Sequence, residues 1–225
     1  MAATTNTVNV EQRIEEVTLG AHLTGASMVA APILLMAGAA LLIGIYEGSP
    51  AERLAAFADN EARATVALNI AIAGVVLTVF AVAGIAAAVT PTHPHLGRTG
   101  GALATIGLFG PAFFLGIDYL GIELAGMADR AAAATALENG ETTPNIVNLA
   151  GPALVFGFIL LAIGTARAGV LPRSRSWALG LTALAPVGLI SGIVVISVVA
   201  WIAFGIAVIP MGIRLLRVRP ADTRA

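Results

Sequence analysis

Two carboxylates, Asp118 and Glu123, stand inside an otherwise uncharged run from Gly101 to Gly126. A charge in the middle of a hydrocarbon layer costs upward of about 2.5 kcal/mol, so each needs a partner, water or an interface. Carboxylates placed this way accept protons or hold cationic ligands. Thr65 and Asn69, four positions apart on one helix face, and Asn145 and Asn148 at the start of a later apolar run, have the type and depth to serve them. Ser197 lies at a similar level of the last run. With Asp118 about 12 Å below the end of its helix, these residues outline a candidate polar pocket. The plainer reading is interhelical glue, since an Asn–Asp or Thr–Asp hydrogen bond between apolar helices contributes about 0.6 to 2 kcal/mol without further purpose. Glue is the expectation for Asp118. Glu123 is expected to reach the nearer interface, covered by Tyr119 on the same helix face.

The three histidines are the other candidates. His93 and His95 in Thr92-His93-Pro94-His95 have a spacing that chelates a metal from an extended chain, and His22 lies at the same boundary of the apolar runs. A membrane haem would need histidines within the runs at matched depth, and none is there. The three are expected to be solvated loop residues, a weak metal set at most, and no cofactor is expected. No Gly-x-Ser-x-Gly surrounds Ser27, Ser191 or Ser197, and neither His-Glu-x-x-His nor a Gly-rich phosphate loop occurs. No enzymatic activity is expected.

The elements that must position these groups follow from composition. Only 11% of the 225 residues are charged and 58% are hydrophobic, whereas a soluble domain carries roughly 25% charged residues to dress its surface. The chain is expected to be an integral membrane protein with the lipid bilayer as its first partner. A net charge of −1 excludes nucleic acid as a main partner. Without Cys there is no disulfide, thiolate metal site or thiol nucleophile, and without Lys no Schiff base.

A crossing needs about 20 apolar residues. The uncharged runs predict an all-α polytopic membrane helix bundle with six spans in three hairpins, at about 23–45, 64–89, 101–126, 146–166, 174–190 and 193–213. The last two come from one run too long for a single crossing, divided at Ser191-Gly192 after Pro186. Ahead of them, 1–22 forms a segment with a short amphipathic helix whose stripe is Val10, Ile14, Val17 and Ala21, and 214–225 forms a basic tail. Short helices are predicted in the first two outer loops. Ser49-Pro50-Ala51-Glu52 reads as a capping box with Pro at the first helical position, and Ala128 to Leu137 is Ala-rich and stops at Asn139-Gly140. Gly25-Ala26 and Asn69-Ile70 recur at one constant offset as Gly101-Ala102 and Asn145-Ile146, the trace of a possible repeat of the first two hairpins.

Six spans put Arg13, Arg98, Arg167, Arg173, Arg175, Arg214, Arg217, Arg219 and Arg224 on one side, and Arg53, Arg63 and Arg130 on the other. The positive-inside rule makes the first side cytoplasmic, with both termini there. Gly169-Val170-Leu171-Pro172-Arg173 followed by Trp177, a Gly/Leu-rich hairpin and the exit Gly212-Ile213-Arg214-Leu215-Leu216-Arg217 resembles uncharacterised six-helix integral membrane proteins of high-GC actinobacteria. The resemblance implies a bacterial inner-membrane protein and brings no activity with it. The function expected is a non-enzymatic structural or accessory role, with a membrane-protein partner or a second copy as protein partner. The alternative is a small transporter or ion-coupled carrier using an outward-facing pocket around Asp118.

Overall fold

The uncharged runs become helices because backbone groups buried in an apolar surrounding must bond within their own segment. The computed structural model describes residues 3–46, 48–127, 129–142, 147–190 and 193–217, with side chains from residue 19 onward except 130, 140–142, 147–149 and 189–190. Among the described residues there is no strand. The helices are α1 (Ala3–Leu42), α2 (Pro50–Asp59), α3 (Glu61–Val89), α4 (Pro94–Gly107), α5 (Phe109–Ala125), α6 (Arg130–Thr142), α7 (Val147–Arg167), α8 (Arg173–Leu181), α9 (Ala185–Ile190) and α10 (Val194–Leu216). Among the described residues five stretches, Leu19–Leu42, Glu61–Val89, Pro94–Ala125, Ala150–Arg167 and Val194–Leu216, are long and apolar enough to cross a membrane.

The helices form a closed circuit of neighbours. α1 lies along α3 and α10, α3 meets α4, α4 lies along α7, α7 meets α8, and α8 and α9 meet α10. Large apolar side chains such as Phe80, Phe109, Phe156 and Ile206 face outward, while Ser27, Thr78, Asp118, Thr165, Ser176, Thr182 and Ser197 are buried. Thr78 satisfies its hydroxyl within α3 by donating to the Gly74 carbonyl at 2.7 Å. Small residues set the closest approaches, as is usual where lipid supplies no hydrophobic drive between helices. A Cβ on Gly25 of α1 would stand 2.9 Å from the Gly212 carbonyl oxygen of α10. On Gly107 it would run into the backbone of Leu154, and on Gly157 into the backbone of Ala104.

Several predicted boundaries shift, each for a local reason. The short amphipathic helix expected within 1–22 is no separate element: α1 runs unbroken from Ala3 because nothing between it and the span stops a helix. α1 ends at Leu42, three residues before Ile45, where the chain turns through Gly44 at φ +82. The run expected at 101–126 starts at Pro94 and pauses at Leu108. Pro111 lacks the N–H that would satisfy Gly107, and its ring crowds that carbonyl. The run expected at 174–190 is helical in three pieces, α8, a 3-10 turn over Thr182–Leu184 and α9. Pro186 acts on Thr182 as Pro111 acts on Gly107. The proposed turn at Ser191-Gly192 lies outside the described residues. α6 runs on past Asn139-Gly140 to Thr142, since a lone Gly costs a helix only about 1 kcal/mol. α10 extends past Ile213 to Leu216 and carries Arg214 in its last turn.

Candidate functional site

Asp118 comes from α5, the half of its segment that follows the pause at Leu108, and it is 4% exposed. It lines a cavity of about 60 Å³ with Leu35, Leu42 and Tyr46 from the α1 end, Ala71 and Val75 from α3, Phe114 and Leu115 from α5, and Ser197 and Trp201 from α10. Such a volume has room for a few water molecules where polar partners exist. The polar side chains of the lining are Asp118, Ser197, Tyr46 and Trp201. The Ser197 hydroxyl donates to the Ala185 carbonyl at 3.2 Å, tying α10 to the start of α9.

Aromatic rings bound the cavity at both ends. Trp201 packs edge-on against Phe204 at 6.2 Å, and Phe204 against Phe158 at 5.7 Å, filling the bundle on one side. At the other end Tyr46 meets Phe57 of α2 edge-on at 6.2 Å, and the Arg53 guanidinium sits 5.8 Å from the Tyr46 ring centre. That helix is held by the predicted capping box. The Glu52 N–H bonds the Ser49 hydroxyl oxygen at 3.4 Å, and the Ser49 N–H donates to the Glu52 carboxylate at 2.6 Å. The backbone and hydroxyl of Ser49 lower the Glu52 pKa below its ordinary 4.5.

The expected polar pocket is composed differently. Asn69 is exposed on α3 and its amide donates to the Thr65 carbonyl at 2.9 Å, so it serves its own helix and stays off the cavity wall. Thr65 is half-buried and likewise outside the lining. Glu123 is exposed near the end of α5. Asn145 lies outside the described residues, and the side chain of Asn148 is not among those described. Of the sequence candidates whose side chains are described, Asp118 and Ser197 share the cavity. No spacing in the sequence points to Tyr46, Arg53 or Trp201, because Tyr46 reaches the cavity from a connection and Arg53, on a short loop helix, meets only the Tyr46 ring.

The metal candidates are not assembled. His93 precedes α4 as its first cap, His95 is exposed in the first turn, and His22 is half-buried in α1. Among the described residues no group of three or more His, Asp or Glu is placed to hold a metal ion. Chelation by His93 and His95 needed an extended chain, but Pro94 opens a helix between them. Two positions on a helix point roughly 200° apart. Compared with known protein families, with curated proteins and with solved structures, the chain finds no match.

Proposed function

We propose that the chain is a non-enzymatic, six-span integral protein of a bacterial inner membrane, of the six-helix actinobacterial kind it resembles, and that it acts as a small proton carrier through Asp118. The observation that carries this is the cavity ending on a carboxylate at the junction of α1, α3, α5 and α10. A carboxylate that lines a cavity with room for water is within reach of a proton, whereas one sealed by close packing is not. Arg53 against Tyr46 places a positive charge near one end of the cavity. One carboxylate suffices to take up a proton, whereas a metal cation needs several oxygen or nitrogen ligands, and among the described residues no such group is assembled, so the proton is the favoured ligand.

The sixth crossing in this reading is α8, the 3-10 turn and α9, whose 18 residues from Arg173 to Ile190 measure about 27 Å. Their place between α7 and α10 supports it, and it keeps Arg214 and Arg217 on the same side as Arg98 and Arg167. Reporter fusions after Arg217 and within α6 test this topology, and a periplasm-dependent reporter active at the C-terminus would refute it.

The carrier reading is tested with Asp118→Asn in proteoliposomes holding a pH-sensitive dye. Asn keeps much of the hydrogen bonding of Asp without the ionisable group. The expected outcome is unchanged thermal stability in detergent with proton flux reduced at least tenfold. A second reading, a structural or accessory role with Asp118 as glue, is favoured by the near-complete burial of that residue. Flux through wild type no greater than through empty liposomes, or flux retained by the Asn variant, would establish the second reading over the first.

A further inference from the structure

On the outside of the bundle, α7 and α8 enclose a groove of about 740 Å³, within the roughly 300 to 1,000 Å³ of small-molecule sites. Its walls are apolar and outward-facing: Ile159 and Ile163 from α7, Trp177 and Leu181 from α8. Gly180 lies on its floor, where a Cβ would rest in ordinary contact with Ala162 at 3.5 Å and a longer side chain would fill the space.

One end of this apolar groove is strongly positive. Arg173 lines it, Arg167 ends α7 and Arg175 stands in the first turn of α8. No acidic residue occurs between Glu141 and Asp222, so α7, α8, α9 and α10 bring no carboxylate of their own. Arginines in the first turn of α8 also oppose the positive end of its helix dipole, an arrangement that a bound anion relieves. The turn between the arginines is fastened by hydrogen bonds. Gly169 takes φ +67, the Val170 N–H donates to the Thr165 carbonyl at 3.0 Å, and the Thr165 hydroxyl donates to Ser176 Oγ at 3.2 Å across the two helices.

The position of the groove says what kind of molecule meets it. α7 is one of the helices able to cross a membrane, Arg167 marks its end, and Trp177, 77% exposed, is an aromatic of the kind that sits at the headgroup level. An apolar channel along a membrane helix with a cationic mouth at the interface is complementary to one acyl chain carrying an anionic headgroup. We propose that this groove is a binding site for a single anionic phospholipid, with an acyl chain along Ile159, Ile163 and Leu181 and the headgroup phosphate against Arg173. A zwitterionic lipid offers the same chain but brings a cationic group to the arginines. The site is independent of Asp118 and of the carrier reading.

The test is native mass spectrometry of the full chain released from detergent micelles with equal amounts of phosphatidylglycerol and phosphatidylcholine of identical acyl chains. Wild type is expected to retain the first at least fivefold over the second, and glycerol phosphate in excess is expected to leave that retention unchanged. Arg173→Gln should bring the preference near parity, and Gly180→Leu should reduce retention of both lipids, with both variants melting as wild type does. Equal retention by wild type, displacement by glycerol phosphate, or a preference that survives both substitutions would overturn the proposal. So would conversion of a dimer to a monomer by Gly180→Leu with lipid preference intact, because the occupant would then be a second copy of the chain.

Discussion

The two halves of the segment 94–125 belong to one membrane-length stretch and yet pack in opposite ways. In α4, Gly97, Gly100, Gly101 and Gly107 are buried, and α7 lies so close that Gly107 and Gly157 each abut the other helix's backbone. In α5 the inward positions hold Pro111, Phe114, Leu115 and Asp118, and a cavity opens between them and α1, α3 and α10. Small residues remove side-chain bulk and so leave no volume for chemistry, while large side chains hold neighbouring backbones apart and leave gaps between themselves. Pro111 divides the two regimes: it brings no N–H to the Gly107 carbonyl, and the helix pauses at Leu108 between α4 and α5. A buried carboxylate is tolerated on the loosely filled side because a few waters or polar neighbours fit there.

The contrast breaks most visibly at Gly157. Gly157→Ala puts a methyl group into the backbone of Ala104, which has no rotamer to change, so the loss should sit at the upper end of the roughly 1 to 3 kcal/mol of core overpacking. Unfolding of the purified protein in detergent measures it. Gly151→Ala, on the same helix, is the control. A Cβ there meets nothing within 4 Å beyond its chain neighbours, and crowding of that Cβ by the Pro152 ring offsets the gain in helix propensity, so the variant should be close to neutral. A loss at Gly151 as large as at Gly157 would show that α7 suffers from any added methyl group, and that close approach to α4 is not the cause.

Uncharged runs mark the apolar helices because a backbone in lipid has few options, and the capping box at Ser49 is visible because its bonds are local in sequence. Burial of Asp118 follows from its depth in the run. Its neighbours were not legible. A helix bathed in lipid is apolar all round, so periodicity does not say which face turns inward, and Asn69, a candidate for the pocket by type and depth, faces outward instead. The broken path through α8 and α9 was half visible: Pro186 marked a weak turn, but the 3-10 geometry at Thr182–Leu184 depends on packing against α7 and α10.

Filling the open half sharpens the comparison further. Leu115 lines the cavity, so Leu115→Phe adds volume where volume is free and should change stability by less than about 1 kcal/mol, below the overpacking range. If the cavity conducts protons, flux in proteoliposomes should fall in this variant while its melting temperature holds. A stability loss matching that of Gly157→Ala would mean that the α5 half is packed as tightly as the α4 half, and the contrast would disappear.

The smallest effect concerns the helix that leans on the end of α5. The Phe57 ring of α2 lies 3.0 Å from where a Cβ on Gly121 would stand, so α2 covers the α5 half and leaves α4 untouched. Glu52 closes the capping box as a carboxylate, and Ser49 lowers its pKa through the backbone and hydroxyl bonds to it. A group whose folded pKa is depressed contributes stability above its unfolded pKa and loses it as pH falls through the folded value. The contribution is therefore fully present above the ordinary 4.5 and fades at pH values below it. Hydrogen-exchange protection of α2 and of the last turn of α5, corrected for the intrinsic rate, should drop on moving from pH 6 to about pH 3, while the amides of α4 and α7 keep theirs. Ser49→Ala should lower protection in α2 at pH 6 and flatten its pH dependence, since the bonds that distinguish ionised from protonated Glu52 are then fewer. Equal loss in α4 would mean that acid loosens the whole bundle, and the cap would have no special hold on the cavity half.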